Sequence, residues 1–318
     1  MKRKVILVTG HAGFIGSHLT KELLNKGYQV VGIDNFNDYY DPKRKEKNVK
    51  DFLRNKNFKQ YKLDITHAGD LRRFFGENKI DLIVHLAARA GVRPSIENPK
   101  LYEKVNIKGT ENLLELAKDF QIKQFVYASS SSVYGEQEKI PFSEDDIVDK
   151  QVSPYAKTKK KAEELCLKYA EEDGIQMTVL RFFTVYGPRG RPDMAPYIFT
   201  SKMLKNEPIT RFGKGDSSRD YTYIDDIVKG IMKAIEKPFK FEIINLGNNQ
   251  PVDLNDFIAM LTKLTGKDAR IIEEPRHPAD VKRTYADISK AKKLLDWEPE
   301  TDLETGMKEF IDWFKNSA

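Results

Sequence analysis

The segment Val5-Ile-Leu-Val-Thr-Gly10-His-Ala-Gly13-Phe-Ile-Gly16 constrains the fold of this chain more than any other. A short apolar run, a glycine turn and the start of a helical pattern follow one another. Glycine lets the backbone approach a pyrophosphate, and a helix N-terminus offers aligned N–H groups and a positive dipole. The spacing is G-x-x-G-x-x-G, not the tighter G-x-G-x-x-G, and glycines alone are weak evidence. Context strengthens them: the motif follows the first strand-like run, opens a helix, and precedes a second run ending in Asp34, 24 residues after Gly10. This is the pattern of a dinucleotide-binding βαβ unit. An aspartate there accepts from both ribose hydroxyls and repels a 2′-phosphate, which favours NAD over NADP. By itself Asp34 also fits a turn or an N-cap.

The rest of the first half repeats the alternation. Val5–Val8, Gln29–Ile33, Lys59–Leu63, Leu82–His85, Phe125–Ala128 and Met177–Arg181 read as strands. Helical stretches fall at 14–26, 68–77, 100–119 and 155–172. The expected class is α/β, a doubly wound parallel (Rossmann) sheet with a smaller, discontinuous C-terminal substrate lobe. Phe241–Asn245 looks like a strand returning to that sheet, and 253–265 and 302–315 like C-terminal helices. The expected division is a cofactor domain of 1–181 plus the strand near 241–246, and a second lobe of 182–240 and 247–318. Asp64-Ile65 and Ala87-Ala88 follow the third and fourth strands, at the carboxyl ends where such sheets bind ligands.

Length and charge narrow the class. With 318 residues, 32% of them charged and 40% hydrophobic, the chain reads as a globular protein of two lobes rather than a disordered one. The net charge of +6 is spread over 54 basic and 48 acidic residues, so no nucleic-acid partner is expected. The densest basic cluster, Lys43-Arg44-Lys45 with Lys47 and Lys50, reads as a solvated helix face. Neither a signal segment nor an apolar stretch of about 18 residues is present, so no membrane partner is expected. The single Cys166 lies in a helical pattern and reads as a buried structural thiol; it fits a reducing cytoplasm. His11, His18, His67, His85 and His277 show no ligand spacing, and no metal is expected.

Tyr155 and Lys159 are four residues apart and share one face of a helix. Tyrosine ionises near pH ~10, and a nearby ammonium favours the phenolate. The run Ser129-Ser130-Ser131-Ser132 can deliver a hydroxyl to the same substrate oxygen. Such a set moves a proton on and off an alcohol. Alone, a Tyr-x-x-x-Lys spacing would be a surface accident.

Together these residues resemble the extended short-chain dehydrogenase/reductase family, and within it the NAD-dependent nucleotide-sugar epimerases. The likeness runs over nearly the whole length. It rests on Thr9–Gly16, His85-Leu-Ala-Ala88, Tyr127–Gly135, Ser153–Lys159, Arg181–Pro188 and Arg219–Asp226. Ala90-Gly-Val-Arg-Pro94 and Gly187–Ala195 resemble UDP-glucuronate 4-epimerases most. The resemblance implies that NAD is held by Gly10, Gly13, Phe14, Ile15, Gly16, Asp34, Asn35, Asp64, Ile65, Leu86, Ala87 and Ala88, with Tyr155 and Lys159. It implies catalysis by Ser130, Tyr155 and Lys159, with Ser130 chosen from the run because the family serine stands 25 residues before the tyrosine. It also implies a homodimer packed through the helices near 100–119 and 155–172.

The implied reaction is 4-epimerisation of UDP-glucuronate to UDP-galacturonate through a transient 4-keto sugar. Dehydratases and decarboxylases of the family carry an acid just after the catalytic hydroxyl; this chain has Ser131 and Ser132 there. A 4-keto hexuronate is a β-keto acid that loses CO2 unless its carboxylate is held. Arg191 is the candidate cation, with Thr184, Ser131 and Ser132 as partners. Arg93, Arg219 and Asp280 are the remaining substrate candidates, with Arg219 suited to the diphosphate and Asp280 to the uridine ribose. The backbone near 196–199 suits the uracil. Arg283 fits a phosphate contact or a surface position equally. Ala279 departs from the glycine usual in relatives. The alternatives are a UDP-glucose/UDP-galactose 4-epimerase, a UDP-glucuronate decarboxylase, or a nucleotide-sensing protein without catalysis.

Overall fold

Aliphatic and β-branched runs too short for helices, each followed by an amphipathic stretch, form strands covered on both faces. The structure, a computed structural model, describes residues 4–276 and 280–317; His277 and Ala279 lie outside them. In chain order the strands are β1 (Val5–Thr9), β2 (Gln29–Asp34), β3 (Phe58–Lys62), β4 (Leu82–His85), β5 (Gln124–Ser130) and β6 (Gln176–Phe182). Then come β7 (Thr184–Tyr186), β8 (Ile209–Phe212), β9 (Ser218–Tyr223), β10 (Phe241–Leu246), β11 (Pro251–Asp253) and β12 (Ile271–Glu274). A seven-stranded sheet runs β10-β6-β5-β4-β1-β2-β3, with every pair parallel. This is the doubly wound, Rossmann-like sheet expected. Strand order reverses between β1 and β4, which opens a crevice beyond their carboxyl ends. There Thr9 pairs with His85 in the ladder, and their Oγ1 and Nδ1 lie 2.7 Å apart.

Both faces of the sheet are covered. Helices Ala68–Glu77, Gly109–Asp119 and Pro154–Asp173 bury Leu71, Phe74, Leu113 and Cys166 against one face. Helices Phe14–Asn25 and Ile224–Glu236 bury Leu19, Leu23, Ile227 and Ile231 on the other. Cys166 is a free, buried thiol, and burial pushes its pKa up. Ile224–Glu236 falls within the 182–240 stretch assigned to the second lobe, yet it packs on Phe14–Asn25, β5 and β6. Its apolar stripe of Ile224, Ile227, Val228, Ile231 and Ile235 is buried there, and the helix also touches β7 and β9. The stretch therefore serves both layers: this helix lies on the large sheet, while β7 and β9 join β11, and β8 joins β12, in two small sheets.

The helix expected over 100–119 is three pieces: Pro99–Tyr102, a wide π turn at Glu103–Lys108, and Gly109–Asp119. The wide turn aims Asn106 inward, where it accepts from the Arg89 N–H (2.8 Å) and donates to Arg89 O (3.0 Å) and Thr158 Oγ1 (3.1 Å). The discontinuous C-terminal part is tied together by Asp220 on β9. Its buried carboxylate accepts from the N–H groups of Asn248 (2.6 Å), Asn249 (3.0 Å) and Ala286 (3.0 Å). Among the described residues, no helix is long and apolar enough to cross a membrane, and no cluster is arranged to hold a metal ion.

Candidate active site

One cavity of about 860 Å³ runs from the glycine loop to the small sheets, over the crevice between β1 and β4. Gly10 has φ +71, and a Cβ there would sit 2.9 Å from Ala87 N; a Cβ on Gly16 would sit 2.1 Å from Gly10 O. Side chains at either place would spoil the turn that lets the loop pass under the cavity. The helix behind it is capped by Gly13 with no side-chain hydrogen bond and no acid in its first turn. Its positive end thus faces the cavity unneutralised, which fits an anionic pyrophosphate. Phe14, Ile15, Leu86, Ala87 and Ala88 line the same stretch.

Asp34 ends β2 at the cavity wall. Its Oδ1 accepts from Phe36 N (2.8 Å) and meets Lys45 Nζ at 3.3 Å, and among the described residues no hydrogen bond reaches Oδ2. Lys45 corrects the reading of the basic cluster as a solvated face: it is only 5% exposed and its charge is buried against Asp34. Asp41 caps that short helix through Lys43 N, and the helix turns Lys45 inward while Lys43 stays outside. Asn35 donates to Asp64 (2.8 Å), which also accepts from the N–H and hydroxyl of Thr66. Burial works against the Asp64 charge, but the bonds from Asn35 and Thr66 hold its carboxyl below the usual range. Ile65 lines the wall beside it.

Helix Pro154–Asp173 starts on the cavity because Ser153 caps it through Ala156 N (3.2 Å) and Pro154 pre-sets its first turn. Tyr155 N is further anchored to Ser95 Oγ (3.1 Å). Tyr155, Ser130 and Lys159 line the same cavity, where Ser130 Oγ donates to Ser132 Oγ (3.2 Å). Ser129 faces away and donates to buried Glu163 (2.5 Å), which Arg181 grips with two bonds (3.0 and 2.8 Å). Lys159 donates to Ala128 O (2.7 Å) and lies 4.9 Å over the Tyr127 ring; burial pushes its pKa down to about 8. The phenol of Tyr155 is pushed up by burial, with the Ser130 hydrogen bond and the charge of Arg191 pulling against it.

The substrate candidates converge on the far half. Ser131 and Ser132 open a short 3₁₀ turn that Ser130 caps, and Thr184 begins β7; all line the cavity. Arg191 lies in the loop between β7 and helix Ala195–Leu204, paired side-on with Asp193 through Nε (3.0 Å) and Nη2 (2.6 Å). Arg219 lines the cavity while holding Ser218 O (2.8 Å), and burial lowers its pKa. Arg93 and Asp280 bond to each other (2.6 Å), and the Arg93 guanidinium lies 4.0 Å over the Phe212 ring. Pro196 and Phe199 line this end, whereas Arg283 is exposed and lies outside the cavity, as a surface residue does. Among the lining residues that the sequence reading did not assign to the site are Lys45, Tyr39 and Asp193. Only Asp193 left a signal, as a carboxylate two residues after the candidate cation.

The chain matches the model of the NAD dependent epimerase/dehydratase family over residues 6–247. A UDP-glucuronate 4-epimerase of Thermodesulfobacterium geofontis is 49% identical over 312 residues, 98% of this chain and 96% of that protein. The structure is similar to that of the UDP-glucuronic acid 4-epimerase from Bacillus cereus in complex with UDP-glucuronic acid and NAD. That likeness has a TM-score of 0.93 at 40% identity and covers 99% of this chain and 100% of the other. It is also similar to the UDP-glucose 4-epimerase of Thermotoga maritima with UDP-glucose, at TM-score 0.92 and 34% identity, covering 98% and 99%.

Proposed function

The chain belongs to the NAD dependent epimerase/dehydratase family, and from that premise we propose that it is an NAD-dependent enzyme interconverting UDP-glucuronate and UDP-galacturonate by inversion at C4. One observation carries the choice of substrate: Ser130, Tyr155 and Arg191 line the same cavity, with Ser131, Ser132 and Thr184 in its wall. An alcohol base and a cation in one site suit a sugar with a carboxylate close to its reacting hydroxyl.

The glycine loop and helix end would hold the pyrophosphate of NAD, Asp34 with Asn35 the adenosine ribose, Asp64 and Ile65 the adenine, and Lys159 the nicotinamide ribose. When bound, NAD supplies the acceptor for the C4 hydride and its return to the opposite face of the sugar. Tyr155 takes the proton of the 4-hydroxyl, Ser130 holds the same oxygen, and Tyr155 gives the proton back after the sugar has turned over. Ser131, Ser132, Thr184 and Arg191 hold the carboxylate so that its C–C bond stays out of line with the C4 carbonyl π system, which keeps CO2 in place. Arg219 would pair with the diphosphate and Asp280, with Arg93 across from it, would face the uridine ribose. In this reading the large sheet carries the cofactor and the small sheets the nucleotide sugar. A homodimer packed through the helices near 100–119 and 155–172, working in the cytoplasm, completes it.

The test is to incubate the purified protein with UDP-glucuronate and follow products by NMR. UDP-galacturonate is the expected product. Strong preference for UDP-glucose, or a UDP-pentose with CO2 as the main product, would overturn the reading.

A further inference from the structure

Arg191 does not stand alone. Its Nε and Nη2 are both taken by Asp193, so the side-on pair fixes the plane of the guanidinium. Among the described residues no hydrogen bond takes Nη1, the remaining edge. Asp193 is itself held: its Oδ2 accepts from Tyr39 Oη (2.9 Å). Burial works against the Asp193 charge, yet the bonds from Arg191 and Tyr39 bring its carboxyl below the usual range, so it is anionic at neutral pH.

Tyr39 comes from the connection after β2, far along the chain from Asp193. It is placed by a ladder of turns: Tyr39 N donates to Asn37 Oδ1 (3.1 Å), Asn37 donates to Asn35 Oδ1 (2.7 Å), and Asn35 donates to Asp64 (2.8 Å). The Tyr39 hydroxyl occupies space that only a glycine leaves open, since a Cβ on Gly91 would lie 2.5 Å from Tyr39 Oη. Residues linked by hydrogen bonds thus run from the wall beside Asp34 and Asp64 to the cation that lines the cavity with Tyr155. Resting on the reading of Arg191 as the carboxylate holder, we propose that Asp193 and Tyr39 are positioning residues that aim Arg191 at the carboxylate of a charged sugar, and so set both the preference for that sugar and its protection from decarboxylation.

The physical case is preorganisation. A free arginine has many rotamers, and a carboxylate ligand must order it at its own expense. The Asp193 fork orders it beforehand, and two supports from different parts of the fold make the aim rigid. A net neutral pair also avoids leaving an isolated cation in the cavity before the sugar arrives.

The experiment compares wild type with Tyr39→Phe and Asp193→Asn, each saturated with NAD, on UDP-glucuronate and on UDP-glucose as substrate or competitive inhibitor. Tyr39→Phe keeps the ring and removes one bond to a charged group. The ratio of affinities, UDP-glucuronate over UDP-glucose, is expected to fall roughly tenfold, and further in Asp193→Asn. The share of UDP-pentose and CO2 among products from UDP-glucuronate is expected to rise in both. A parallel loss for both sugars would mean a merely structural role and would overturn the proposal, as would an unchanged ratio and product share. The wild-type arm tests the substrate reading separately, because a wild type that ignores UDP-glucuronate fails that reading before any variant is compared.

Discussion

Lys45 shows how one residue changes the meaning of its neighbours. By composition it belongs to a solvated basic run; in the fold it is buried at 3.3 Å from Asp34, the residue expected at the adenosine ribose. Lys159 is the second such case. Its side chain is 4% exposed, and burial brings its pKa from 10.5 to about 8. The folded state therefore binds this proton less readily than the unfolded chain. The penalty is complete below about pH 8 and disappears as pH rises toward 10.5, because there both states are neutral. It is on the order of 3 kcal/mol. Lys159→Met is accordingly expected to be inactive yet more stable than wild type at pH 7, with the difference shrinking from pH 8 upward. Urea denaturation at several pH values reads this directly, and a variant less stable at pH 7 would contradict it.

At the level of elements, the short pieces are held by polar side chains rather than by their own length. β7 and β11 have three residues each, too few to stand alone. Asp220 on β9, between them, collects three backbone N–H groups from segments up to 66 residues away. Burial raises its pKa to about 6 against the pull of those N–H groups. Asp220→Asn turns one accepting oxygen into an N–H donor facing other donors, and is expected to cost about 2–4 kcal/mol of stability. A variant as stable as wild type in thermal unfolding would show that the small sheets do not depend on it. The π turn at Glu103–Lys108 belongs to the same class of device: an added residue in the helix re-aims Asn106 at Arg89 and Thr158, next to the start of helix Pro154–Asp173.

For the whole molecule, the cavity is spanned by contacts between the large sheet's loops and the C-terminal segments: Arg93 with Asp280, Tyr39 with Asp193, and Arg44 with Tyr197 Oη (2.7 Å). Ligands on either side should therefore support each other. NAD at about a hundred times its Kd is expected to add about 2.7 kcal/mol, a rise of several degrees in Tm. UDP-glucuronate is expected to raise Tm more in the presence of NAD than in its absence. Strictly additive shifts in thermal scanning would refute that coupling.

The glycine loop, the alternating strands and helices, Asp34 and the Tyr155–Lys159 pair were legible in the sequence, because local rules govern them: a tight turn demands glycine, a doubly covered strand demands an apolar run, and i,i+4 residues share a helix face. The family likeness extended that reading to the cavity's far half. The fold alone decided three things. Helix Ile224–Glu236 lies on the large sheet although it sits inside the C-terminal stretch, since its apolar stripe is buried against Phe14–Asn25, β5 and β6 as well as β7 and β9. Lys45 points inward because Asp41 sets the phase of its helix. Asp193 and Tyr39, 154 residues apart, meet behind Arg191. Such pairings depend on where loops from separate strands are carried, and no spacing along the chain encodes a distance across a cleft.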